Sequence, residues 1–568
     1  GSEDLHLVNN SNALWGSYGA DLDGDANLPI TDDIDGDARD ASQPDIGADE
    51  FTGVAGPSWW NANYAYRAQI TVSAGASDIP ADYPTRFQID HAQMRLDHPT
   101  EVLANGDDVR IVYWDGGSWT ELDRTLFDDN QNASAWDQSD TLLMFKTVAA
   151  ISAGETDTGY YVYYGDPSAG SPPTTTPSSR RFLAQSMGYS STTSTTYSQK
   201  VQLDFTPTDT SEQWVIVATW RQEHVGDAGT QQDLGRARIR INGTTRTGNN
   251  NISYRMSGNA WQAFAVVFKI TGEDTTQQVE LDFRADGGED AIDKAQIMAF
   301  MIPDPANADI QYAETLSPTT DTFNPTVAQT LNFSPTSGGD YIWMANGFLH
   351  EAPGGATNGG MYLVDETGTD QQDSQESYID GSNVIVVPIT HFEQRALTTG
   401  SKTFSFRHQP DDTSGGSERM GLTQLLFRSD VFDSVETDDS PGQSTTGSQS
   451  YVNKASLTTA AVGGGEYRDY IYLAVMMHDD TGAGTIDSGE WAEIQIDGGQ
   501  ATEANKPMDR SSYDTQIVWA YGEYSPGGST IDANYAADNG LTAEAQYAHI
   551  LALRYKEPST SVGSEETP

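Results

Sequence analysis

The densest candidate chemistry in this sequence is carried by aspartate. Asp21-Leu-Asp23-Gly-Asp25 and Asp32-Asp33-Ile-Asp35-Gly-Asp37 place carboxylates at alternate positions in glycine-containing loops. A chain wraps a hard, oxygen-seeking cation in that way, so Asp21, Asp23, Asp25, Asp33, Asp35 and Asp37 are candidate calcium ligands. Neither run reaches the glutamate that completes an EF-hand loop. The competing reading is a solvated acidic loop. At Asp107-Asp108 the expectation is a β-turn, with an ion pair from Asp108 to Arg110 or Arg124.

Tryptophan is the second candidate. Trp59, Trp60, Trp114, Trp119 and Trp136 concentrate in one stretch. Indole rings at sandwich loops can stack on sugar faces, but they more often pack a core. Trp114 sits in a strand run and reads as core. Trp119 and Trp136 lie among turn residues and are the candidate ligand-binding positions, with a glycan as partner. Asn132, Asn242, Asn251 and Asn332 each begin an Asn-x-Ser/Thr sequon.

Catalytic constellations are missing from the sequence. There is no Gly-x-Ser-x-Gly, no His-Glu-x-x-His, no Walker-type Gly-Lys and no Gly-x-Gly-x-x-Gly. The nine histidines form no pair at helical spacing. No strand carries the closely spaced carboxylates of a glycoside hydrolase. The chain is read as a non-enzyme.

The elements that must position these residues are strands. The 568 residues hold 83 acidic against 30 basic side chains, for a net charge of −53. That charge disfavours nucleic acid and anionic membrane as partners, since both need a positive footprint. Abundant Asp, with 54 Gly, favours turns over helices. The 12 Trp, 26 Tyr and 18 Phe supply enough apolar surface for several small cores. No cysteine is present, which excludes disulfides and thiolate metal sites. No apolar run approaches the length of a membrane-spanning helix.

Residues 1–55 are too polar to build a core alone. Asp4-Leu-His-Leu7, the Asp-Gly-Asp-x-Arg stretch and Asp45-Ile-Gly-Ala-Asp-Glu-Phe51 resemble the last coil and C-terminal cap of bacterial right-handed parallel β-helix surface proteins. The resemblance implies that β-helix coils precede Gly1 and that the chain is the C-terminal part of a longer surface protein. In residues 56–173, Trp60-x-x-x-Tyr64-x-Tyr66-Arg67, Asn105-Gly-Asp-Asp-Val-Arg110, Glu121-Leu-Asp-Arg124 and Tyr161-x-Tyr-Tyr-Gly-Asp166 carry a second likeness. This stretch is similar to a concanavalin-like jelly-roll domain of unknown function, common in secreted and surface proteins of bacteria and archaea. A lectin-like fold is implied, without a ligand. A Pro- and Thr-rich linker, 174–180, follows.

The remainder repeats itself. Leu203-Asp-Phe205, Leu331-Asn-Phe333 and Leu457-Thr-Thr459 correspond, as do Trp214-Val-Ile-Val-Ala218, Tyr341-Ile-Trp-Met-Ala345 and Tyr470-Ile-Tyr-Leu-Ala474. Later runs recur at the same interval, near 127 residues, too long for a solenoid. The expectation is all-β: a β-helix cap remnant, a lectin-like jelly roll, then three antiparallel β-sandwich repeats at 181–313, 314–436 and 437–557, strung in series. Residues 558–568 are expected to be a disordered tail. Two function classes fit. One is a secreted or cell-surface structural or adhesive protein, a segment of a fibre, stalk or surface layer whose partners are copies of itself. The other is a carbohydrate-binding accessory protein. A virion spike or appendage is a third reading. Calcium is the one expected cofactor.

Overall fold

The computed structural model describes residues 57–127, 134–173, 179–207, 210–225, 235–246, 252–254, 261–273, 275–285, 287–315, 326–350, 359–368, 386–410, 421–460, 468–480, 490–505, 515–525, 528–537 and 542–568. Residues 1–56, with the six candidate calcium ligands, lie outside them. The fold is all-β, with antiparallel sheets throughout and one short α-helix, His91–Asp97, among the described residues.

Each repeat builds a jelly roll, and its strands are lettered B to I in chain order. In repeat 1 they are Arg181–Ser186, Ser198–Phe205, Gln213–Val225, Gly235–Ile241, Thr244–Thr245, Gln262–Thr271, Gln277–Ala285 and Glu289–Met301. Repeat 2 has B at Gln311–Thr315, C at Thr326–Phe333, D at Gly339–His350, E at Gly359–Val364, G at Val386–Leu397, H at Lys402–Pro410 and I at Leu422–Arg428. Repeat 3 runs Ser434–Ser440, Val452–Thr458, Arg468–Asp480, Glu490–Ile496, Gly499–Asn505, Thr515–Ser525, Thr530–Ala537 and Ala543–Arg554. One sheet of each repeat has the order B-I-D-G and the other C-H-E, extended by F in repeats 1 and 3. That interleaving is the two-Greek-key pattern of a jelly roll. Strand B of repeats 2 and 3 starts ahead of the expected boundaries at 314 and 437.

Strand C is an edge, and each copy carries a bulge at the matching place: Gln199/Val201, Val327/Gln329 and Asn453/Ala455. Bulges at an edge discourage pairing with another chain. In repeats 1 and 3 the bulged residue is a lysine. Lys200 donates to Gly188 O and Ser190 Oγ, and Lys454 to Gly442 O and Ser444 Oγ, which pins strand C to the stretch just after strand B. Repeat 2 has Ala328 there.

The repeats are not strung in series. Strand D of repeat 1 sends Trp214, Ile216 and Ala218 into its own sandwich and Val215 and Val217 the other way. Tyr341, Trp343 and Ala345 alternate likewise with Ile342 and Met344, and Tyr470, Tyr472 and Ala474 with Ile471, Leu473 and Val475. The second set from all three repeats meets in one common core, with Phe300, Phe392, Phe427 and Leu551. The B-I-D-G sheets therefore surround a pseudo-threefold axis, and every pair of repeats is in contact there. A closed ring of hydrogen bonds fixes their order. Asn346 of repeat 2 donates to Ala265 O of repeat 1 at 2.7 Å, Gln296 of repeat 1 to Ala520 O of repeat 3, and Gln516 of repeat 3 to Thr390 O of repeat 2 at 3.2 Å.

The N-terminal sandwich has its own core, built from Ile70, Phe87, Ile111, Leu143, Phe145, Tyr160 and Val162 among others. Its larger sheet has the strand order Ser559–Val562, Tyr66–Ser73, Thr156–Tyr164, Arg110–Trp114 and Trp119–Leu122. The opposing sheet is Pro84–Ile89, Thr141–Lys146 and Thr125–Leu126. The expectation of a disordered tail is thus corrected: 559–562 form an edge strand of the first domain. Ser and Thr mask the signal, but Val562 packs on the core, Glu566 pairs with Arg67 at 2.7 Å, and Glu565 accepts from Tyr164 and pairs with His98. Deleting 559–568 should lower the stability of this sandwich by roughly 3 kcal/mol, from lost strand hydrogen bonds, the lost Glu565 and Glu566 contacts and one partly buried apolar side chain. Urea titration followed by tryptophan fluorescence checks it, and an unchanged midpoint contradicts the strand's role.

Candidate functional site

The strongest cluster of charge is where the N-terminal sandwich meets the jelly rolls. Strand B of repeat 1 opens just after the linker, so Arg180 and Arg181 enter the junction together. Arg180 is 1% exposed; its guanidinium lies 4.9 Å from the Tyr83 ring and 5.5 Å from the Tyr555 ring. It donates to Pro84 O and pairs with Glu557. Arg181 bonds Asp469 at 2.7 Å, and Arg86 pairs with Glu557 and, at 3.6 Å, with Asp469. Tyr83 donates to Lys556 O, and Tyr555 to Arg180 O and Met301 O. Three guanidiniums and two carboxylates are thus buried between the first domain, repeat 1 and the end of repeat 3. The signal in the sequence was Arg180-Arg181, its one Arg-Arg pair in a chain poor in bases.

Beside this clasp opens a cleft of about 1430 Å³. Acidic residues (Asp78, Asp82, Glu212, Asp304, Asp309, Asp430) and basic ones (Lys146, Lys269, Arg428, Lys556) line it together. Most are engaged: Lys146 pairs with Glu212 at 2.8 Å, Lys556 donates to Asp78 O, and Asp309 accepts from Thr336 and Tyr341. Burial holds the Lys269 ammonium below its usual range, and its bond goes to Gln213. Among the described residues, Tyr83 is the one aromatic in the lining, and it is buried under Arg180. The described lining of the cleft therefore offers no stacking platform for a sugar.

The two tryptophans singled out above are not brought together. Trp119 lies on the outer face of the five-stranded sheet, in a cluster with Trp59, Trp60, Tyr64, Trp114, Tyr161 and Tyr163. It packs edge-on to Tyr161 and Tyr163, and its Nε1 donates to Ser58 O at 2.8 Å. Arg67 lies beneath, its guanidinium 4.8 Å from the Trp59 ring. Trp114 belongs to the same outer cluster, not to the sandwich interior. Trp136 packs against the inner core, beside His91 and over Arg124. It also explains Gly106: a Cβ there would lie 2.4 Å from the Trp136 ring, and the backbone φ is +66°.

Asp108 differs from expectation. Its carboxylate accepts from the backbone N–H of Leu103 and of Gly165, and Arg124 instead donates to Val109 O and Gly106 O. Among the described residues no group of three or more His, Asp or Glu is placed to hold a metal.

Repeat 1 holds one further unusual carboxylate. Asp290 is fully buried and accepts from Gln222 Nε2 at 3.0 and 3.1 Å. Gly235 makes room for it, since a Cβ there would lie 1.9 Å from Asp290 Oδ1. Burial pushes Asp290 up to about 8, which the Gln222 bond offsets only in part. The folded state then keeps a proton that the unfolded state releases from about pH 4 upward. The stability tied to this proton is complete below about pH 4 and is lost as pH rises through about 8, at up to about 1.4 kcal/mol per pH unit. Asp290→Asn should flatten that decline. Urea midpoints between pH 5 and 8.5 check it, and a variant with the parent's slope contradicts it.

No protein-family model matches the chain, and no curated protein matches it. Among solved structures it is similar to dimeric latent PorU from Porphyromonas gingivalis, at 9% identity and a TM-score of 0.18, over 64% of this chain and 32% of that one. It is similar also to peptide N-glycanase F (9%, TM-score 0.21, 45% of this chain and 99% of that one) and to PNGF-II (10%, TM-score 0.21, 64% and 98%). The chain spans about a third of the PorU chain's length. At these identities and TM-scores none of the three bears on what this chain does.

Proposed function

We propose that the chain is a structural subunit of an extracellular surface assembly, a fibre, stalk or surface layer, whose partners are further copies of itself. The observation that carries the reading is the common core: three jelly rolls and a capping sandwich, concanavalin-like by its sequence motifs, lock into one block through a buried clasp. Such a block transmits load and presents fixed faces. The charged groups of the cleft beside the clasp are largely hydrogen-bonded or ion-paired within the chain, which fits a junction better than a substrate site.

At a net charge of −53, copies repel unless cations or strand pairing join them. The Asp-rich residues 1–51, with Asp21, Asp23, Asp25, Asp33, Asp35 and Asp37 as calcium ligands, are the segment assigned to that contact. Light scattering on the full chain and on a chain lacking 1–51, with and without millimolar calcium, tests the reading. Growth in particle size with calcium, confined to the full chain, is expected. Two chains that both stay monomeric at high concentration in calcium overturn it.

One observation favours a second reading, carbohydrate binding. Trp59, Trp60, Trp114 and Trp119 are only partly buried and cluster on one sheet face. Calorimetry against a glycan panel should then show heat that Trp119→Ala abolishes.

A further inference from the structure

In a chain with 30 basic side chains against 83 acidic ones, four arginines share one sheet face of repeat 1. Arg236, Arg238 and Arg240 alternate along strand E with Ala237, Ile239 and Ile241, which fill the repeat's own core, so all three point outward. Arg284 joins them from strand H, where Leu281 and Phe283 take the inner side. Arg236 and Arg284 are direct cross-strand partners. Like charges in that position oppose sheet formation. The Tyr197 ring gathers two of the group, with Arg238 at 4.0 Å and Arg284 at 4.9 Å.

The jelly roll does not require these bases. Matched by register, their positions are Gly360, Tyr362, Val364 and Gln409 in repeat 2, and Trp491, Glu493, Gln495 and Ala536 in repeat 3. The acids of the face lie beneath the arginines. Asp282 pairs with Arg238 at 2.8 Å and with Arg240 at 2.6 Å, and Glu280 pairs with Arg240 at 2.8 Å. Those two carboxylate side chains are 2% and 7% exposed, against 25% for Arg238 and 24% for Arg240. Asp204, at the end away from Arg284, accepts from Gln202. The charge this part of the sheet shows to solvent is therefore guanidinium.

Charge also selects the occupant. Residues 1–51 hold thirteen acidic side chains against one arginine. Six of the thirteen are the candidate calcium ligands, and the other seven keep the segment negative when calcium neutralises those six. We propose that the arginine face of repeat 1 is the docking site for residues 1–51 of a neighbouring copy. The proposal rests on the reading of the chain as an assembly subunit and names the surface its acidic segment meets. A guanidinium takes both oxygens of a carboxylate at once, which suits an Asp-rich segment. Because the two surfaces are different parts of the chain, the contact is heterologous and repeats from copy to copy into a ring or an open fibre.

A benzophenone amino acid placed at Ile34, or separately at Ile46, in the full chain tests this. Heavy- and light-isotope copies are mixed in millimolar calcium, irradiated and digested. Heavy-to-light cross-links onto strands E and H of repeat 1 are expected. Cross-links that are confined to one copy, that fall only on other faces or that are absent overturn the docking. If particle size still grows with calcium, the assembly reading survives that failure; if it does not, both fall. Arg236→Gln combined with Arg284→Gln removes the opposed charges and leaves Asp282 and Glu280 paired, so the parent's urea midpoint should be kept. The pair of changes should lower the heavy-to-light yield about fivefold, and an unchanged yield overturns the proposal. Polygalacturonate that binds the parent chain while no cross-link reaches this face assigns it to an external polyanion, which overturns the proposal too.

Discussion

Asp469→Ala is expected to split the unfolding of this protein in two. Its carboxylate is 5% exposed and sits among Arg181 at 2.7 Å, Arg86 at 3.6 Å and Arg180 at 3.9 Å. Without it, the cluster keeps Glu557 beside Arg86 and Arg180 but loses its second carboxylate, and Arg181 loses its 2.7 Å ion pair. Removing one partner from such a cluster typically costs about 3–5 kcal/mol, because the charge left behind has lost its water and its counter-ion. The loss falls on the junction, since Asp469 is contributed by repeat 3, Arg180 and Arg181 by the start of repeat 1, and Arg86 by the N-terminal sandwich. Calorimetry should therefore show the first domain melting ahead of the jelly rolls, with trypsin cutting at the newly exposed junction. A single transition at the parent's temperature would contradict the clasp.

Phe392→Ala is expected to have an effect of similar size with a different reach. Phe392 is fully buried in the common core, and removing a buried phenyl ring costs about 3–5 kcal/mol. Because the core is shared, amide exchange should quicken in strands D, G and I of all three repeats. Phe404→Ala is the control. Phe404 packs within repeat 2 alone, so its loss should loosen that repeat first. Equal exchange patterns in the two variants would show that the common core does not couple the repeats.

Much of the sandwich architecture was legible in the recurring runs, which mark strands C, D, E, G and I. Strand B was not, because Ser434–Ser440 reads as an acidic loop and takes its strand form from pairing with strand I. The recurrences begin at strand C, which is why the boundaries fell late. The common core had a signal that was read too simply. Val215-Ile-Val-Ala218 and Ile471-Tyr-Leu-Ala-Val-Met-Met477 are apolar at every position, and a strand apolar on both faces is buried on both. A free-standing sandwich would have exposed one of them. The tail strand carried almost no local signal, since its stability comes from an edge, one valine and two glutamates whose partners lie hundreds of residues away. Of the candidate site, Trp119 and Trp136 were read together as ligand positions among turn residues, but one lies in the outer cluster and the other against the inner core, a difference of sheet face that spacing alone does not resolve. Of the clasp, only the Arg180-Arg181 pair stands out in the sequence, because its five charged residues come from four separate stretches of chain.

The central claim is that the tandem repeats form one block about a shared axis. Small-angle scattering on the full chain, at low concentration and without calcium, tests it most directly. A compact chain of this length has a radius of gyration of about 25 Å, whereas four sandwiches end to end reach roughly 40 Å. The account predicts a value near the first figure, and a value near the second would contradict it.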